Sequence, residues 1–296
     1  MRRLAPGLAS LAVLTAIAVT GVAAQQKIAR RIPIAPDASI RIQNLPGTTR
    51  VIGWDLDTIA VTGSAPAGTT FYMGGAGRVA KLGLESDEKT GFVPGTGLLE
   101  VRVPRGARVW VRSAVGSIEV EGLSGEVDVA SASGSIRITG SLRLVTAETM
   151  EGDLEVSGGS QLVRVRTGNG KIVLFRPTGD LTASTVAGPV QLLDAQPASA
   201  RIETVSGAVT YDGTLDRRAS LEIQTHSGEV DLRLPPSVSA EFDLYSVGGT
   251  VLVALSPKGP APKAAKGKPQ FFTAGGGGAN VVVRSFKGNI RLQGRD

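Results

Sequence analysis

The chain has 296 residues, 42% hydrophobic but only 4% aromatic, with 39 glycines and no cysteine. It can bury a sizeable core, but must build it in thin layers from Val, Ile, Leu and Ala, because aromatics supply the largest area per side chain. The missing cysteine excludes disulfides, a thiolate nucleophile, Cys-ligated zinc and a lipid-modified cysteine, and a scattered net charge of +6 gives no basis for nucleic-acid binding.

Residues 1–24 read as a signal peptide. Arg2 and Arg3 precede an apolar run from Leu8 to Val19, and Val22-Ala23-Ala24 supplies the small residues of a cleavage site before Gln25. The run is short for a span, so no stable membrane span is expected after cleavage. Residues 25–296 then carry 30 basic against 26 acidic side chains, a net +4, and are read as one domain.

The first structural unit lies around Gly47, with Ile40 and Ile42 before it and Thr49 and Val51 after it. Trp54 and Ile59-Val61 begin the next elements. Residues 65–97 break the rhythm and are predicted to be an irregular loop or distorted first turns. Leu99-Val101-Val103 then leads into a regular repeat.

Gly116, Gly134, Gly152, Gly170 and Gly188 are spaced by 18 residues; Gly207 follows after 19, Gly228 and Gly249 after 21 each, and Gly288 after 39. Two and four residues after each glycine stand apolar pairs such as Ile136 and Ile138, or Ile172 and Leu174. Seven and five residues before it stand pairs such as Val127 and Val129, or Val163 and Val165. Alternation with period two marks strands with one buried face, and a unit of about 18 residues is too small to bury that face alone. The pattern therefore predicts an all-β, parallel β-solenoid (β-helix-like) of about ten turns with 18–21-residue repeats. The corner glycine is predicted to take positive φ. Gly122, Gly140, Gly158 and Gly213 mark the opposite corner.

Three residues before each corner glycine stands a hydroxyl: Ser113, Ser131, Thr149, Thr167, Thr185, Thr204, Thr225, Ser246 or Ser285, with Asn44 in the Gly47 unit. A column that runs the full length is expected to be a structural ladder bonded to backbone, not a row of nucleophiles. The 39-residue gap before Gly288 is read as one 21-residue turn plus 18 extra residues. That extra material falls within residues 256–278, where Lys258, Lys263, Lys266 and Lys268 stand among Pro, Ala and Gly, and is predicted to be a flexible protruding loop, either a solvated insertion with no partner or one that meets an anionic surface.

No catalytic constellation survives in the remaining residues. His226 is the sole histidine, on an outward corner, which is too few ligands for a His-based metal site. A β-helix lyase or hydrolase would need clustered carboxylates beside a Lys or Arg. The stacked columns instead alternate charge: Glu119, Arg137 and Glu155 in one, Asp153 beside Lys171 in another, and Arg164 and Arg166 near Thr146 and Glu148 on the other sheet. The glycine-rich stretches 74–77 and 168–171 lack phosphate-loop spacing and read as turns.

The opening Ile40-Arg-Ile-Gln-Asn-Leu-Pro-Gly47, then Gly53-Trp54-Asp55 and Leu99-Glu-Val-Arg-Val-Pro104, resemble the N-terminal signature of the DUF4097 group of exported bacterial proteins. Ser133-Gly-Ser-Ile-Arg-Ile138, Ser206-Gly-Ala-Val209 and Ser227-Gly-Glu-Val-Asp-Leu232 resemble its core repeat. The resemblance covers nearly all of the chain after the signal peptide. It departs from the family at Thr48-Thr49 and in the lysine-bearing insertion. It implies a β-solenoid and an adhesin-like role, and it transfers no catalytic residues and no cofactor. The expectation is thus a non-enzymatic periplasmic or extracellular protein with an adhesin-like binding or scaffold role, its partner envelope polysaccharide or envelope protein and its site in the irregular stretch before Leu99 or the lysine-bearing insertion rather than in the repeats, with a carbohydrate-active lyase or hydrolase as the alternative.

Overall fold

The computed structural model describes residues 26–45, 47–86, 97–255 and 263–295. The predicted signal peptide and Lys258 lie outside these residues. Two sheets of 14 and 13 strands face each other, and successive strands in each are joined mainly by parallel pairing in strict register. Val127 pairs with Val145, which pairs with Val163, so beside the hydroxyl column the inward columns are stacks of mostly aliphatic side chains, with Tyr211 and Phe242 among them. Nearly all of these are fully buried, as the period-two pattern requires.

Tyr211 is the largest side chain buried completely, and its hydroxyl donates to Thr214 O at 2.7 Å. Burial, reinforced by nearby Asp216, pushes its phenol above the ordinary value of 10.0. The fold therefore holds the neutral form, while the unfolded chain ionises near pH 10. Between those two values the native state binds the extra proton, so stability is full below pH 10 and falls above it by up to about 1.4 kcal/mol per pH unit. Urea unfolding from pH 9 to 11 is expected to show this slope, and Tyr211→Phe to flatten it.

The coils do not stack in chain order. The unit formed by Ser39–Asn44 and Gly47–Trp54 lies between the one formed by Val79–Ser86 and Gly97–Pro104 and the one formed by Arg108–Val115 and Ile118–Glu121. At the other end the final coil, Ala279–Ser285 with Ile290–Gly294, is inserted between Ser220–Thr225/Val230–Leu234 and Ala240–Ser246/Thr250–Ala254. The Gly288 turn therefore stacks between the Gly228 and Gly249 turns, out of chain order.

Both ends are closed by antiparallel strands. Residues 69–86, predicted to be irregular, form a hairpin of Thr69–Ala76 with Val79–Ser86. Phe71 and Met73 pack there beside buried Leu82 and Leu84. Gln26–Pro33 pairs antiparallel with Thr58–Ala65, and its exposed Lys27, Arg30 and Arg31 discourage a further strand from adding. The described part of the insertion is also ordered, not a protruding loop. Lys263–Lys266 pairs antiparallel with Thr250–Ala254, and Gln270–Ala274 pairs with Ala240–Ser246, where Phe272 stacks on Phe242 at 4.9 Å.

The hydroxyl column is buried along its whole length and makes backbone bonds at each corner, but in two distinct ways. Ser113, Ser131 and Thr149 donate to the carbonyl two residues on, at 3.2 to 3.3 Å, and there the corner glycines have φ of 118°, 135° and 145°. From Thr167 onward the hydroxyl instead accepts the N–H of the glycine three residues on, at 2.8 to 3.2 Å, and positive φ is absent. Positive φ thus explains only the first three corners of the regular series. The others need glycine because the corners stack in contact: a Cβ on Gly170 would lie 1.7 Å from Gly152 O.

From Thr167 onward each ladder hydroxyl serves the N–H of its corner glycine. Thr204 Oγ1 accepts Gly207 N–H at 2.9 Å, so Thr204→Val, which keeps the shape and removes the acceptor, is expected to cost roughly 1–3 kcal/mol in chemical denaturation. Thr204→Ser should recover most of that loss. In the Gly47 coil Asn44 takes over, donating through Nδ2 to Thr48 O at 3.0 Å and Thr49 Oγ1 at 3.1 Å.

Candidate functional site

Each coil turns sharply after its ladder hydroxyl, which leaves the next residue, two before the corner glycine, pointing out to solvent. Along the rod this column reads Met150, Gly168, Val186, Val205, His226, Phe286 and Val247. Backbone bonds hold it together from coil to coil: Val186 N–H to Gly168 O, Ser206 N–H to Val186 O, Ser227 N–H to Val205 O, and Gly248 N–H to Phe286 O. A corner facing water has no structural need for apolar side chains. Yet Met150, Val186, Val205, Phe286 and Val247 are 71, 52, 50, 48 and 45% exposed, and they are five of the nine exposed large hydrophobics among the described residues. His226 joins them by stacking on Phe286, with ring centroids 5.0 Å apart.

Beside this ridge runs a groove of about 800 Å³. Ladder residues Thr167 to Ser285 lie along it, with Arg166, Glu203, Gln224 and Arg284 on the side away from the ridge. Glu203 pairs with Arg201 at 2.7 Å, and Arg284 is bound by Asp243, whose hydrogen bond holds the guanidinium above its ordinary pKa. The groove thus combines an apolar wall, a hydroxyl-lined base and a charged wall. It has the materials for binding, without a nucleophile paired to a base.

The charged columns singled out in the sequence lie elsewhere and are engaged with one another. Arg137 stacks between Glu119 and Glu155 and bonds Glu155 at 3.0 Å, while Arg50 lies 3.9 Å from Glu119. Asp153 Oδ1 accepts Lys171 N–H at 2.8 Å, which makes it a turn-capping group. Thr146 faces Arg164 and Glu148 faces Arg166 in register, so opposite charges do adjoin on the second sheet. Among the described residues no three His, Cys, Asp or Glu side chains are placed to hold a metal ion. The described part of the insertion, residues 263–278, sits at the end of the rod and lines no part of the groove.

Sequence reasoning noticed His226 but missed its column. The signal was present: aligning the corner glycines puts Val186, Val205, Phe286 and Val247 at one offset, where a solvent-facing turn should be polar.

The family model described as Toastrack DUF4097 matches residues 57–292. The motif at residues 40–55 that suggested this family lies outside the matched span. Two solved structures are similar: a "putative cell adhesion protein" from Clostridium sporogenes, with 12% identity and a TM-score of 0.25, covering 91% of this chain and 100% of that one, and a "putative adhesin" from Bacteroides fragilis, with 11% identity and a TM-score of 0.40, covering 91% and 98%. No curated protein matches the chain.

Proposed function

The chain belongs to the DUF4097 family, and from that premise we propose that it is an exported, non-enzymatic binding protein of the cell envelope that holds a macromolecular partner along its apolar corner. The observation that carries this reading is the concentration, in one column of a surface turn, of five of the nine exposed large hydrophobics among the described residues. Soluble proteins scatter such residues; a contiguous exposed patch beside a groove marks an interaction surface. The leader-like residues 1–24 support export. The alternative, a glycan lyase or hydrolase, would draw on Glu119, Asp153 and Lys171. Those residues lie on the outward face of the other sheet, in ion pairs and turn bonds.

The test is capture from separated envelope polysaccharide and envelope protein fractions by the purified protein. Retention of one fraction by the wild type, lost at least about tenfold on Val205→Asp and kept on Arg137→Ser, is the expected result. Equal retention by both variants would remove the corner from the account. Product release from acidic glycans, abolished by Asp153→Asn, would replace the account with the lyase reading.

A further inference from the structure

The corner column has a direction as well as an apolar character. Exposed Glu148 and Glu151 flank Met150 at one end, while Arg284 and exposed Lys287 flank Phe286 at the other. Glu148, Glu151 and Lys287 take part in no ion pair among the described residues. Bulk varies too: Gly168 carries no side chain in the ridge two coils from the Val205 turn, and exposed His226, stacked on Phe286, lies one coil beyond it on the other side.

We propose that the partner of this corner is a second copy of the chain, docked antiparallel about a two-fold axis that passes between the Val186 and Val205 coils. The proposal rests on the reading of the corner as the binding surface and names what occupies it. An in-plane two-fold across the rod brings each column onto itself with the coil order reversed, as an isologous interface requires. Val186 then meets Val205 of the second copy, Gly168 meets His226, Met150 meets Phe286, and Val247 meets Ala132. On the flanks, Glu151 faces Lys287, neither of them otherwise paired, and Glu148 faces Arg284, which Asp243 already holds, each pairing occurring twice by symmetry.

Other registers do worse on charge. Parallel docking, about an axis along the rod, exchanges the two flanks and so sets Glu148 against Glu151 and Arg284 against Lys287, and like charges opposed across strands destabilise. Moving the axis onto Val205 opposes Glu203 to Glu203 and Arg166 to Arg284. The contact spans eight coils, roughly 35 Å at the usual strand spacing, and with a width of about 10–15 Å it buries on the order of 1,000 Å² in total. That area falls among weak, transient interfaces, so the dimer is expected to be reversible at about micromolar concentrations.

Sedimentation velocity of the full exported protein across about 1–200 µM tests this, since that range brackets a micromolar equilibrium. The expected result is a monomer–dimer equilibrium that Val205→Asp weakens at least about 30-fold, with melting temperature unchanged because the side chain is half exposed. Lys287→Glu should weaken it roughly tenfold, and Glu151→Lys added to the same chain should restore it, because each copy then carries the reversed pair. A wild type that stays monomeric overturns the proposal, as does a dimer indifferent to Val205→Asp. Failure of the double charge reversal to restore pairing overturns the antiparallel register. A monomer that still captures envelope material through Val205 would sink this proposal alone; a monomer that captures nothing would sink the corner reading with it.

Discussion

Gly170→Ala is expected to lower the melting temperature by roughly 6–12 °C, from one added methyl group. The Cβ would sit 1.7 Å from Gly152 O, and both groups are backbone, so no side chain can swing aside. The rung itself must shift, breaking the register that continues to Gly188, whose own Cβ position lies 1.8 Å from Gly170 O. Overpacking of this kind costs about 3 kcal/mol or more, and each kcal/mol moves the midpoint of a chain this size by about 2–4 °C. Gly74→Ala is the matched control, since nothing lies within 4 Å of its Cβ position and its φ is ordinary. Differential scanning calorimetry on the pair should separate them clearly; equal midpoints would contradict the stacked-corner geometry.

The second large effect concerns the inserted final coil. Removing residues 279–296 takes away the only parallel neighbour of Ala240–Ser246 and of Thr250–Ala254. Their remaining partners, Gln270–Ala274 and Lys263–Lys266, belong to the same terminal module and tie it to nothing else in the sheets. Val281, Val283, Ile290 and Leu292 are fully buried, and four such side chains contribute roughly 6–12 kcal/mol, comparable with the whole stability of an ordinary domain. The truncated protein is expected to lose protection from about Leu234 onward. Limited proteolysis read by mass spectrometry should show rapid cleavage in residues 235–278 and a resistant fragment before them. Protection of 235–278 equal to the intact chain would refute the inserted topology.

What the sequence made legible follows from what repeats. Glycine spacing and period-two alternation identified the strands, their parallel stacking and the buried hydroxyl column, because each is dictated locally within one coil. The order of the coils was not legible for the same reason. Every coil offers the same inward Val, Leu and Ile, so Val281 pairs as well with Leu221 as with Phe242, and in the fold it pairs with both. Residues 69–86 were misread because Gly74, Gly75 and Gly77 obscure the alternation of Phe71, Met73, Leu82 and Leu84, which is plain once the hairpin is seen. The change of corner geometry between Gly152 and Gly170 leaves no mark at the glycine, since either conformation demands one. Of the candidate site, only His226 was noticed, because the neighbouring valines in its column look like ordinary repeat residues until the corner exposes them.

Site-specific photo-crosslinking in intact cells tests the binding corner most directly. A photoreactive phenylalanine analogue at Val205 or Val186 is expected to give discrete covalent adducts in the envelope, whereas the same probe at Arg137, on the outward face of the opposite sheet, gives none. An adduct of twice the chain mass would identify the second copy as the partner. Adducts from Arg137 with silence from Val186 and Val205 would contradict the account.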